Sequence, residues 1–388
     1  MKNNTLDLFT PDDAENEDDI RGTDTSILSG VVVTDTDWTT ETILSQLQKG
    51  NIQLNPRFQR RDAWNEERKS RFIESLILGL PIPQLVLAEN PRQKGKYVVI
   101  DGKQRLLSLL RFAGAGDIQF PLRGLNLRKD LNGVTFSKLQ VEHHDELSAF
   151  ENAPIRTTIV KGWRDEEVLY LVFYRLNSGS VPLSPQELRH VLHPGPFIDF
   201  AFEFTEQSQL LVDLLGKDGK PDFRMRDVEV LIRHIAFREF GERYQGDLKK
   251  FLDETTKSLN DTWQNTEGRI RQMATQCERA IETTLTIFGD DAFSKWTPKG
   301  FESRFNRAVF DIMCFYFCEG AVARESLIRA EEIKKTFVDL CATNPAFLRA
   351  IESTTKSRAS THARFSIWGN KLSEVTNIRP AGMDHLPQ

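Results

Sequence analysis

Asp101-Gly102-Lys103-Gln104-Arg105 gathers the residue types that handle phosphate: a carboxylate, a glycine, two cations and an amide in five consecutive positions. The apolar run Tyr97-Val98-Val99-Ile100 precedes it and a leucine-rich stretch to Phe112 follows. This order predicts a buried strand that delivers Asp101 at its end, a tight turn at Gly102, and a helix whose first turn carries Lys103, Gln104 and Arg105. A helix start offers backbone N–H groups without intrahelical partners and the positive end of the aligned peptide dipoles, which together attract anions. Two cations in that turn oppose the dipole unless an anion offsets them. Asp101, Gly102, Lys103, Gln104 and Arg105 are therefore the candidate residues of an anion site. Asp101 suits Mg²⁺, a ribose hydroxyl or an attacking water, and it suits plain helix capping as well.

Two further patches repeat this chemistry. Between 57 and 71, the cations Arg57, Arg60, Arg61, Arg68, Lys69 and Arg71 stand against three acids. In the helix expected over 66–78, the stripe Phe72, Ile73, Leu76, Ile77 runs back to Arg68 and Lys69. Cations at the end of an apolar stripe either reach out to water or line a pocket for an anion. The third patch begins at Arg175, which continues the apolar face Val168, Leu171, Val172 of the preceding helix. Asn177-Ser178-Gly179-Ser180 then makes a small polar turn that permits close backbone approach. Ser184-Pro185-Gln186-Glu187 is a capping box with proline at the first helical position, which gives Glu187 a complete structural explanation.

Other chemistries are missing from the sequence. No GxxxxGK[ST] loop, HExxH or GxSxG occurs, and Gln119 stands where the third glycine of GxGxxG belongs. His143 and His144 are adjacent, so on a helix they point about 100° apart and suit one metal ion poorly. His190 and His193 are better spaced, but Pro194 ends that helix. The four cysteines, Cys277, Cys314, Cys318 and Cys341, lack CxxC spacing; Cys314 and Cys318 share one face of an apolar helix and are expected as buried packing.

The elements that must position these residues read as an α+β fold. Short β-type runs alternate with helices from 31 to about 165: strands at 31–33, 84–88, 97–100 and 154–160, and helices at 39–49, 66–78 and 103–112. Helical periodicity dominates afterwards, with helices at 165–176, 185–192, 197–205, 226–240, 247–259, 268–288, 306–318 and 325–341. Residues 1–24 hold eight acids against Lys2 and Arg21 and are expected to be a disordered acidic tail. Residues 25–200 are expected as a small mixed-sheet domain and 201–388 as a helical domain. The tail accounts for the net charge of −5 over 388 residues, leaving the rest near neutral, so bulk charge decides nothing about nucleic-acid partners. No long uncharged apolar run and no basic-then-apolar start occur, so the expectation is a cytoplasmic protein without a membrane span.

The run PRFQRRDAW, the helix ending in ESLILGLPIPQLVL, then YVVIDGKQRLLSLLRF and FYRLNSGSVPLSPQELRH together resemble the GmrSD-type restriction-endonuclease N-terminal domain, of the ParB/sulfiredoxin-like fold group. The likeness is dense from about 40 to 195, and FNRAVFDIMCFYF and RFSIW extend it into the helical part. The family's DGQQR motif falls on Asp101, Gly102, Lys103, Gln104 and Arg105, with lysine where glutamine is usual. Its QR…W element falls on Gln59, Arg60 and Trp64. The resemblance implies a nucleotide-binding, NTP-hydrolysing regulatory or sensor subunit of an anti-phage or DNA-restriction system that controls DNA cleavage. In that reading Arg60, Lys103 and Arg105 neutralise phosphates, Arg68, Lys69, Arg175 and Asn177 complete the nucleotide pocket, Gln59 and Gln104 orient the ligand, and Asp101 positions water or Mg²⁺. Proteins of this type commonly continue into a His-Asn-His-type nuclease domain, whereas after 200 this sequence has only His234, His362 and His385. The nuclease is thus expected on a partner chain, with DNA and a second copy as further candidate partners. Two alternatives stay open: a ParB-like domain that itself binds and nicks DNA, and a nucleotide-binding interaction module without hydrolysis. Sulfiredoxin chemistry is excluded, because it needs a reactive cysteine and none precedes Cys277.

Overall fold

The computed structural model describes residues 25–54, 64–114, 120–176, 184–352 and 357–386. The acidic segment 1–24, with Gln59, Arg60 and Asn177, lies outside the described residues. The fold is mixed α+β, and the chain divides into two compact units at Leu192/His193.

The first unit is built on a five-stranded mixed sheet. In chain order it comprises β1 (Val32–Thr39), α1 (Thr40–Gln48), β2 (Ile52–Gln53), α2 (Glu66–Ile77), β3 (Leu85–Glu89), β4 (Tyr97–Asp101), α3 (Lys103–Phe112), α4 (Phe136–Glu142), α5 (His144–Asn152), β5 (Pro154–Lys161), α6 (Glu167–Leu176) and α7 (Pro185–Leu192). The strand order is β1-β5-β3-β4-β2. β1 pairs antiparallel with β5, β5 parallel with β3, β3 antiparallel with β4, and β4 parallel with β2.

Helix boundaries follow from local capping chemistry. Thr39 accepts the Thr42 N–H to open α1, and Asn65 accepts the Arg68 N–H to open α2. Gly79, at φ +63°, closes α2 while the Leu80 N–H returns to the Ser75 carbonyl at 2.9 Å. Side chains alternate across the sheet, so each central strand feeds two cores. Leu85, Leu87 and Val99 join Ile43, Phe72, Ile73, Leu106 and Leu109 on one face. Val86, Ala88, Val98 and Ile100 join Val168, Leu169, Phe173 and Leu188 on the other. A sheet covered on both faces holds the end of β4, and so Asp101, in a fixed position.

The second unit is helical apart from a two-stranded hairpin, β6 (Trp296–Thr297) and β7 (Gly300–Phe301). Its helices are α8 (Pro196–Gln207), α9 (Gln209–Leu215), α10 (Arg226–Phe240), α11 (Leu248–Asp261), α12 (Trp263–Phe288), α13 (Arg307–Phe317), α14 (Gly320–Ile328), α15 (Ala330–Thr343), α16 (Pro345–Glu352) and α17 (Arg358–Thr376). The single helix expected over 325–341 is two helices, α14 and α15, separated at Arg329. Ile333, Phe337, Leu340 and Cys341 form a buried helical stripe, whereas Leu327 and Ile328 of α14 face water.

The centre of this unit carries charge. Asp311 of α13 accepts the Arg233 Nε at 3.0 Å and Nη2 at 2.5 Å, and the Arg364 Nη2 at 3.1 Å. Arg307 pairs with Glu229 at 2.8 Å. All five residues are buried. Cys314 and Cys318 are buried as the sequence suggested, and burial pushes the Cys318 and Cys341 thiols up to about 12. They stay protonated and are poor nucleophiles or metal ligands at neutral pH.

His234 of α10 is fully buried, and desolvation, assisted by Arg238, lowers its pKa from 6.5 to about 3. The neutral ring is the native form, so the unfolded chain binds a proton that the folded chain rejects. The stability this imposes is complete above pH 6.5 and declines as pH falls from 6.5 toward 3, by about 2 kcal/mol at pH 5. Urea unfolding at pH 7 and pH 5 should show that loss in the native chain, and a His234→Leu variant should show a pH dependence smaller by the same amount.

Candidate anion site at the first turn of α3

Gly102 is the N-cap of α3 and sits at φ +100°, ψ 11°. A Cβ there would lie 2.2 Å from Leu85 Cδ2 and 3.2 Å from Arg105 Nη2. Strand, turn and helix therefore meet at a point that admits glycine alone. With no side chain, Gly102 provides no capping acceptor for the first-turn N–H groups, so these remain the natural seat for an anion.

The three polar side chains of that turn are buried, and each is fixed by a specific partner. Arg105, 4% exposed, donates from Nη2 to Asp101 Oδ2 at 2.8 Å and to the Gln84 carbonyl at 2.8 Å. Gln104, 7% exposed, accepts the Trp64 backbone N–H at 3.3 Å. Lys103, 5% exposed, donates from Nζ to Glu187 Oε1. The capping box at α7 is formed reciprocally: the Ser184 N–H reaches Glu187 Oε2 at 2.7 Å and the Glu187 N–H reaches Ser184 Oγ at 3.0 Å. Trp64 thus contacts the start of α3 through Gln104, and Ser184 is linked to it through Glu187 and Lys103.

Neighbouring groups extend this polar region. The Thr158 hydroxyl donates to Asp35 Oδ1 at 2.6 Å and lies 3.4 Å from Gln84 Oε1. That hydroxyl, with Arg156, holds the Asp35 carboxyl below the usual carboxylate range. Arg68 is exposed, with its guanidinium 4.7 Å from the centre of the Trp64 ring. Lys69 is buried, its ammonium 5.9 Å from the centre of the Phe120 ring. Arg175 is exposed in the last turn of α6. Of the residues singled out in the sequence, Asp101, Gly102, Lys103, Gln104 and Arg105 stand together, with Trp64 in direct contact.

Three of these partners escaped sequence reasoning. The i,i+4 spacing of Asp101 and Arg105 signals an ion pair, although a strand end and a turn lie between them. The Gln84 carbonyl and the Lys103–Glu187 pair, 84 residues apart, leave no local signal. Glu187 keeps its capping role and adds a second one.

As a metal site, the region offers a narrow donor set. Among the described residues no group of three or more His, Cys, Asp or Glu side chains is arranged to hold an ion. Asp101 supplies one carboxylate there, and it is paired with Arg105 at 2.8 Å. Among the described residues no helix is long and apolar enough to cross a membrane.

Neither a curated protein nor a solved structure gave a match to this chain. The family model of the GmrSD restriction endonuclease, N-terminal domain, matches residues 41–193. That span runs from the first turn of α1 to the residue after α7, and so includes the sheet from β2 to β5 and every contact just described at α3. Over residues 41–193 the chain is therefore similar to the GmrSD restriction endonuclease, N-terminal domain.

Proposed function

We propose that this domain binds the phosphates of a nucleoside triphosphate at the first turn of α3 and serves as the nucleotide-dependent regulatory part of a restriction system. The observation that carries the reading is the start of α3 itself, an uncapped helix N-terminus with Lys103, Gln104 and Arg105 buried and individually fixed. Burying three such side chains costs several kcal/mol unless each is paired, and a preorganised polar turn is what phosphate recognition requires. Asp101, oriented by Arg105, would meet Mg²⁺ carried in on the phosphates or the attacking water. A partner chain would supply DNA cleavage.

One observation favours a variant of this reading, in which nucleotide binds without turnover. The Asp101 carboxylate is already engaged by Arg105, whose Nη2 occupies an oxygen that a metal ion or an attacking water would use. Phosphate release by the purified chain, with each nucleoside triphosphate and Mg²⁺, with and without DNA, separates the cases. Hydrolysis predicts release that drops about 100-fold or more in Asp101→Asn with the folded state retained. Binding without release in the native chain supports the interaction module, and DNA nicking by the pure chain would contradict both.

A further inference from the structure

The two cations of the α3 first turn are not equivalent. Arg105 is tied to Asp101 within its own strand-turn-helix unit, whereas Lys103 reaches a different helix through Glu187. Glu187 uses both carboxylate oxygens, Oε1 for the Lys103 ammonium and Oε2 for the Ser184 N–H at the start of α7. Both residues of the pair are almost completely buried. A lysine held this way already has its counter-ion, and separating it to meet a phosphate would leave a carboxylate buried and unpaired.

We propose that Glu187 is a positioning residue of the phosphate site, and that Lys103 serves as its anchor point on α3 instead of contacting the ligand's phosphates. The pair fixes the N-terminus of α7 against the N-terminus of α3. This rests on the reading that the α3 first turn takes the phosphates. It assigns their binding to the backbone N–H groups and to residues other than Lys103, and it gives position 103 a geometric role.

The chemistry of the pair provides its own test, because an amide pair can replace it without charge. In a Lys103→Gln, Glu187→Gln double variant, the new amide at position 187 can accept the Ser184 N–H through its oxygen and donate through its nitrogen to the amide oxygen at position 103. Each single variant instead leaves one buried charge without its counter-ion.

Thermal melting and titration with each Mg²⁺–nucleoside triphosphate, on the native full-length chain and the three variants, decide the matter. Melting should fall by about 5 °C or more in Glu187→Gln and be largely restored in the double variant. Nucleotide affinity should fall about 10-fold in Glu187→Gln and return to within about 3-fold of native in the double variant, as a geometric role requires. If the double variant melts like the native chain yet binds as weakly as Lys103→Gln, then Lys103 contributes its charge to the ligand and the proposal is wrong. Additive melting losses would remove the pair itself. Absence of nucleotide binding by the native chain would overturn the nucleotide reading and the ligand half of this proposal, while the melting cycle would still decide the pairing.

Discussion

Gly102→Ala is expected to lower the stability of the sheet-containing unit by about 2–5 kcal/mol, the sum of a left-handed backbone forced on a side chain and an overfilled core. The φ of +100° is disfavoured for any residue with a Cβ, and this Cβ would arrive 2.2 Å from Leu85 Cδ2. Leu85 cannot retreat cheaply, because it is fully buried between α2, α3 and the sheet. Relief would come by shifting the start of α3, and that movement would also break the Arg105 contacts to Asp101 and the Gln84 carbonyl. Urea unfolding followed by circular dichroism measures the loss, and a change below about 0.5 kcal/mol would show that the turn is not as confined as described.

The other large effect lies in the helical unit. Asp311→Ala should cost about 3–5 kcal/mol, because it removes the carboxylate that the buried Arg233 and Arg364 share, while Glu229, 3.8 Å from Arg233, is itself engaged by Arg307. The loss comes from the uncompensated charges more than from the missing attraction. A triple change of Arg233, Asp311 and Arg364 to apolar residues of similar volume should therefore recover most of it. Denaturant unfolding of the single and triple variants checks both halves. A triple variant no more stable than the single would show that the network contributes net attraction.

These two sites also show where sequence reasoning succeeds and where it fails. The strand, glycine and helix around 101–105 were legible, because hydrophobic period, turn chemistry and helix start all point to one local arrangement. The range 103–112 read for α3 is the range observed, and 226–240 read for α10 likewise. What the sequence concealed is what those elements touch. Asp311 sits in an apolar run, Arg307 to Phe317, where a lone acid gives no hint of two arginine partners from other helices. The charge of Lys103 was visible but its partner was not, because Glu187 was already explained by Ser184. The helices α4, α9, α16 and α17 were not anticipated, and of α5 only its start at His143-His144-Asp145 was. α4 and α5 each bury a single apolar side chain, Leu139 and Phe150, so their periodicity is faint. α17 buries Thr361 and Arg364 along with Phe365, Trp368 and Leu372, which blurs its apolar stripe.

The central claim is that nucleotide phosphates bind at the first turn of α3, and amide hydrogen exchange with and without Mg²⁺–nucleoside triphosphate tests it most directly. First-turn N–H groups lack intrahelical acceptors and exchange readily until an anion holds them. Saturating nucleotide is predicted to slow exchange in the peptide spanning 98–112, with the change lying in Lys103 to Arg105. Slowed exchange confined to other segments, with 98–112 unaffected, would contradict the account.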